Sequence, residues 1–253
     1  MGLLYRFRHC NDQLISNVMN LSIEGSKYCT MKDKREVSFT INLDLIKKVT
    51  SLSAEEIFSV QENVRKHILN SYFISSFCKT DQINEMSMWA EYAGYDGFCL
   101  LYEEEHIKTA IVRSMMKHKD RFFMFDDVDY GTESTDITPF LFNYLRLIGN
   151  DFNNEKACRL ASSRVKYLLS LKEREKIMKS MFHKIGDFPE DNEKRIVLFG
   201  KETDKEYTNS MIPVKIKPIK IICSSLMPTE KRKQLEHFAN TNKIGFLIKE
   251  VKR

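Results

Sequence analysis

None of the six cysteines, Cys10, Cys29, Cys78, Cys99, Cys158 and Cys223, falls in a Cys-x-x-Cys pair. The signatures of a zinc cluster and of a thioredoxin-type dithiol are therefore missing, and reduced structural thiols are expected. The histidines (His9, His67, His106, His118, His183, His237) show no His-x-x-x-His pairing, so no metal is expected. Absence of Gly-x-Gly-x-x-Gly, a P-loop and Gly-x-Ser-x-Gly argues against a Rossmann enzyme, a P-loop NTPase and an α/β-hydrolase. No apolar run approaches the ~18 residues of a bilayer-spanning helix, so no membrane partner is expected. The opening Met1-Gly2-Leu3-Leu4-Tyr5-Arg6 meets charge before any signal-type apolar stretch develops, which points to the cytoplasm. Forty Lys and Arg against 35 Asp and Glu leave a net charge of +5, too small to mark a nucleic-acid protein by itself.

What is present is alternation of short strand-like and helix-like stretches along all 253 residues, without repeat or convincing linker. The expected fold is one α+β domain with a mixed or mainly antiparallel sheet, flanking helices and a helical insertion at about residues 139–185. Leu3 to Phe7 suits a strand with Arg6 and Arg8 on one parity. Asn11 or Asp12 caps a helix through Asn20, and Ile23 to Thr30 is a second strand. Ser53 and Glu56 form a capping box opening a helix to about Leu69. Tyr72 to Phe77 is a buried strand, Glu85 to Tyr92 a short helix, Gly97 to Tyr102 a strand closed by an exposed turn at Glu103 to Glu105, and Ile107 to Lys117 a helix. Phe122 to Tyr130 is a strand, and the next two helices are Pro139 to Ile148 and Glu155 to His183. An acidic loop holding Asp191 and Glu193 then leads into a strand at Arg195 to Phe199. Val214 to Cys223 is a strand interrupted by Pro218, Thr229 caps a helix to Thr241, and Ile244 to Val251 closes the chain.

Met88-Trp89-Ala90-Glu91-Tyr92-Ala93, followed by Gly97 and the strand Phe98 to Tyr102, resembles the apolar-Met-Trp-x-His-Tyr-Ala signature of the bacterial family called domain of unknown function 2971. Glu91 stands where that family carries His. Leu4-Tyr5-Arg6-Phe7-Arg8 is similar to the family's opening strand, and Asp33 and Glu36 fall at its Asn-Asp-Pro-Phe-Glu segment. Val128-Asp129-Tyr130 resembles its Val-x-Tyr strand. The late motif Lys-x-x-x-Trp-x-x-Glu-x-Glu-Trp-Arg is matched at Lys184, Phe188, Asp191, Glu193 and Arg195 with spacing kept. A competing alignment puts Glu155 and Arg159 there, with Ala157 in place of the second acid.

The resemblance carries no activity of its own, but its order of a basic first strand, a helix, a strand and a late acid-x-Glu before a strand is similar to that of ADP-ribosyltransferases. What that similarity implies is an ADP-ribosyltransferase or NAD glycohydrolase with NAD as substrate. Glu193 would stabilise the positive charge developing on the ribose, Asp191 would orient the acceptor, and Arg195 would keep Glu193 ionised. Arg6 or Arg8, with Tyr5 beside them, would bind the NAD diphosphate, and Trp89 or Tyr92 would stack on nicotinamide or else anchor the core. A macromolecular acceptor, protein or nucleic acid, and a part in phage defence or a toxin system belong to the same implication. The alternative is a non-enzymatic component that binds nucleic acid or protein through its basic C-terminal third: Lys215, Lys217, Lys220, Lys231, Arg232, Lys233, Lys249, Lys252 and Arg253.

Overall fold

A computed structural model describes residues 2–27, 39–67, 72–79, 83–118, 122–131, 135–149, 151, 154, 156–158, 160–161, 164, 171–184, 192–199 and 211–252. The chain is α+β: helices pack on both faces of a mixed sheet.

Strand β1 (Leu3–Arg8) leads to helix α1 (Asp12–Met19), whose first turn is capped by the Asn11 side chain accepting from the Leu14 amide at 2.8 Å. The expected second strand is split at Gly25 into β2 (Ser22–Glu24) and β3 (Ser26–Lys27), and its continuation to Thr30 lies outside the described residues. Two short elements without a clear sequence signal follow, β4 (Phe39–Thr40) and α2 (Leu43–Val49). Helix α3 (Ala54–His67) opens on the expected capping box. The Ser53 amide donates to Glu56 Oε2 at 2.7 Å and the Glu56 amide to Ser53 Oγ at 3.2 Å.

Strand β5 (Tyr72–Cys78) precedes α4 (Met86–Ala93), which stops at Gly94 with φ +62°. A side chain at Gly97 would meet the Arg8 carbonyl at 2.0 Å and the Ala93 carbonyl at 2.5 Å, so only glycine lets β6 (Phe98–Glu103) leave α4 so close to β1. The acids after β6 do not form a turn. Helix α5 (Glu104–Lys117) starts at Glu104 at once, since Glu104 and Glu105 favour a helix N-terminus. The expected strand to Tyr130 divides into β7 (Phe122–Asp127) and β8 (Asp129–Tyr130), which join different sheets.

Strand β9 (Thr135–Asp136) leads into α6 (Thr138–Ile148), and α7 (Leu171–Ser180) ends before the expected His183, which instead begins β10 (His183–Lys184). Strand β11 (Glu193–Phe199) starts two residues earlier than expected, placing Glu193 in a strand. Pro218 separates β12 (Met211–Lys215) from β13 (Lys220–Ser224). Helix α8 (Thr229–Thr241) has Pro228, not Thr229, at its cap position, and β14 (Gly245–Lys249) ends the fold.

The main sheet runs β14-β13-β6-β1-β5-β11-β7, with β3 also on β5. Its β13–β14 pair is parallel, and the others are antiparallel. Paired residues share a face and neighbours along a strand alternate. One face carries Leu4, Phe77, Leu100, Tyr102, Ile196 and Cys223 against α1, α5 and α8. The other carries Tyr5, Phe7, Cys99, Leu101 and Ile222 against α4, and Ile74 and Val197 against α6 and α7.

Trp89 is fully buried in this second face, edge-on to Phe7 with ring centroids 5.3 Å apart, and its Nε1 donates to the Ile83 carbonyl at 2.7 Å. Trp89→Phe keeps most of the apolar volume and loses that hydrogen bond, so it should lower stability by about 1–2 kcal/mol in urea denaturation.

On the first face, Lys194 ties the sheet to the start of α5, reaching Glu104 at 3.1 Å and Asp127 at 3.0 Å. Hydrogen bonding from Lys108, opposed by burial and helped by Lys194, holds the Glu104 carboxyl below its ordinary range. The resulting stabilisation is complete above the pKa of an unfolded glutamate and is lost as pH falls through the depressed value. Glu104→Gln should accordingly flatten the acid limb of a plot of denaturation midpoint against pH.

Candidate functional site: a buried charge cluster at the start of β11

Glu193 and Arg195 lie two residues apart on one strand and so project from the same face of the sheet. Both are buried, at 6% and 0% exposure. Glu193 Oε2 accepts from Arg195 Nε at 3.0 Å and from Nη2 at 2.7 Å, while Arg195 Nη1 donates to the Met181 carbonyl at 2.8 Å. An isolated buried charge would be strongly disfavoured, and the two-bond pairing offsets the water that both groups lose on burial.

Two further segments, residues 128–130 and β10, close around the pair. The Val128 amide donates to the Glu193 carbonyl at 2.9 Å, and the Glu193 amide donates to Tyr130 Oη at 3.1 Å. Parallel pairing of β8 with β10 sets Tyr130 opposite Lys184 and Asp129 opposite His183. Lys184 and His183 are both buried. His183 Nδ1 is 3.6 Å from Asp129 Oδ2, and His183 Nε2 is enclosed with no hydrogen-bond partner among the described residues. The start of β11 thus carries a carboxylate and a guanidinium bonded to each other, with the Tyr130 hydroxyl on the Glu193 amide and the buried Lys184 and His183 on the strand that pairs with β8.

Of the residues expected at a site, this arrangement brings together Glu193, Arg195, Tyr5 and Trp89 on one side of the sheet. Tyr5 pairs with Cys78, and Cys78 pairs with Glu193. Tyr5 and Glu193 therefore flank Cys78 in one row, about 10 Å apart at ordinary strand spacing. Tyr5 packs in the same cluster as Met88, Trp89 and Ala93 of α4, and Tyr92 is at the exposed side of that helix. Trp89 is a core anchor.

Arg6 and Arg8 are not part of this arrangement. Their parity puts them on the opposite face, where Arg6 Nη2 donates to the Glu24 carbonyl at 2.6 Å and lies 3.4 Å from Glu24 Oε1. Arg8 pairs with the same carboxylate, Asn17 Nδ2 donates to it at 2.8 Å, and the Arg6 guanidinium sits 5.4 Å from the centroid of the Phe77 ring. Asp191 and Phe188 of the late motif, Asp33 and Glu36 of the early one, and Glu155 and Arg159 of the competing alignment lie outside the described residues.

His183 is not among the residues expected at a site from the sequence. Its adjacency to Lys184, the first position of the late motif, was the available signal. Among the described residues no group of His, Cys, Asp or Glu is arranged to hold a metal ion, and no helix is long and apolar enough to cross a membrane. The described cysteines carry no disulfide, and burial, with a smaller contribution from Cys10, pushes the Cys223 thiol up to about 12.

The basic C-terminal third is partly committed to internal contacts. Lys231 pairs with Asp12 at 3.1 Å, Lys217 donates to the Asn242 carbonyl at 3.0 Å, Arg232 to the Ser225 carbonyl at 3.2 Å, and Lys249 to Asn84 Oδ1. No family model, curated protein or solved structure matches this chain. The resemblance to the domain of unknown function 2971 family rests on the motif residues themselves.

Proposed function

We propose that this chain is an ADP-ribosyltransferase-like enzyme that breaks the nicotinamide–ribose bond of NAD, with Glu193 as the carboxylate beside the ribose. The observation that carries this reading is the buried Glu193–Arg195 pair, in which two hydrogen bonds fix a carboxyl group at the start of β11. As the C1′–N bond breaks, its electron pair leaves with nicotinamide and positive charge spreads over C1′ and the ring oxygen of the ribose. A preorganised carboxylate stabilises that charge far better in a dry site than in water. Water or an acceptor nucleophile then attacks C1′ and releases its proton.

Arg6 and Arg8 face the other side of the sheet, so on this reading the cation beside the NAD diphosphate is Lys184 rather than either of them. Of the aromatic residues expected at the nicotinamide ring, Trp89 and Tyr5 are buried in one core cluster, so on this reading Tyr92, at the exposed side of α4, is the one that would meet the ring. The test is incubation of the purified full chain with NAD and chromatographic detection of free nicotinamide, with and without candidate protein acceptors. Release of nicotinamide that depends on Glu193 supports the reading. No release from NAD under any condition, with the protein folded, removes it.

A further inference from the structure

Strand β14 is an edge of the main sheet. The Gly245 amide donates to the Ile219 carbonyl at 2.9 Å and the Lys249 carbonyl accepts from the Ser225 amide at 2.8 Å, so Gly245, Leu247 and Lys249 direct their backbone groups toward β13. The intervening Phe246 and Ile248 direct theirs outward, where no described residue pairs with them. The strand has no proline, and its one charged residue is Lys249 at its C-terminal end.

The side chains along this edge form a pattern. Leu247 and Ile248 are 46% and 48% exposed, on opposite faces. On the face of Leu247, Lys220 is paired with Gly245, and its Cγ and Cε lie 3.4 and 3.5 Å from where a Gly245 Cβ would be, so its stem crosses the strand there. Lys220 is exposed and has no ion-pair partner among the described residues. Lys249 stands on the same face two residues beyond Leu247, its Nζ donating to the uncharged Asn84 side chain, which leaves its charge without a carboxylate among the described residues. The edge therefore presents cation, apolar residue, cation at the spacing of alternate strand positions.

We infer that β14 receives an extended acidic segment of another protein as an added strand, with an apolar residue opposite Leu247 and carboxylates two positions to either side, beside Lys220 and Lys249. Main-chain hydrogen bonds to Phe246 and Ile248 supply the docking, and the alternate side chains supply the choice of partner. A second copy of this chain is the poorer occupant. Self-pairing about Leu247 would oppose Gly245 to Lys249 and offer no acid to either Lys220 or Lys249, and one five-residue edge buries far less than the roughly 1,200 Å² of a stable association.

The experiment uses the full chain and three fluorescent probes: the peptide Thr-Glu-Thr-Val-Thr-Glu-Thr, its Lys-for-Glu counterpart, and a single-stranded DNA dodecamer. The expected result is saturable anisotropy with the acidic peptide alone, weakened at least tenfold by Lys220→Glu, together with slowed amide exchange at Phe246 and Ile248. A Leu247→Thr variant, a change at a half-exposed strand position, should fold normally and weaken the same binding. Equal binding of acidic and basic peptides, tighter binding of the DNA, or no binding by any probe overturns the proposal. So does a concentration-dependent dimer, seen by sedimentation, that Leu247→Thr dissolves.

Discussion

Replacing Arg195 with leucine should lower the stability of the protein by about 3–5 kcal/mol, read as a fall in the urea midpoint at unchanged slope. The loss comes from what remains: Glu193 would be left as a buried carboxylate without its two-bond partner, and the Met181 carbonyl would lose its donor. Pairing in the interior offsets a desolvation cost that is otherwise paid in full. The double variant Glu193→Leu with Arg195→Leu removes both charges and should recover a large part of the loss, because an apolar pair of similar volume carries no such penalty. If the double variant is as unstable as the single one, the charge pair is not what the fold depends on there. Stability recovered in the single variant at acid pH, where Glu193 takes up a proton, would point the same way as recovery in the double.

Glu193→Gln should reduce nicotinamide release from NAD by about 10²–10³-fold with little change in apparent NAD affinity, the pattern of an interaction made only as charge develops. Glutamine is nearly isosteric and its carbonyl oxygen still accepts from Arg195, so the urea midpoint should move far less than for Arg195→Leu. Those two readings together separate chemistry from folding. A glutamine variant that folds and cleaves NAD at the original rate removes Glu193 from the mechanism.

Local signals were legible in the sequence wherever the responsible interactions are local. Asn11 and the Ser53–Glu56 pair sit where hydrogen-bonding chemistry demands, and α1 and α3 begin there. The strand after Gly97 and the helix carrying Trp89 were equally plain, each marked by a run of apolar residues at the right period. Boundaries failed where tertiary pairing decided them. Glu193 belongs to a strand because β5 pairs with it on one side and the Val128 amide, just past β7, donates to its carbonyl on the other, which no local property of an acidic stretch announces. His183 leaves the helical pattern because β8 pairs with it.

The candidate site was legible only in part, for a reason of parity. The late motif named Glu193 and Arg195, which are bonded to each other, and Lys184, which pairs with Tyr130 next to them. Whether Arg6 or Tyr5 joins them depends on how β1 and β11 each register against β5, a relation between residues nearly two hundred positions apart. With Tyr5 and Glu193 both opposite Cys78, Tyr5 shares the face and Arg6 cannot. A slip of one residue in either pairing would exchange them.

That shared row has a practical side. Cys78 carries a half-buried thiol without a disulfide, one strand spacing, about 4.8 Å, from Tyr5 on one flank and from Glu193 on the other. That sulfur is a chemical handle in the middle of the cluster, and with Cys10, the other half-buried thiol among the described residues, replaced by serine, an environment-sensitive label on it would report occupancy from within.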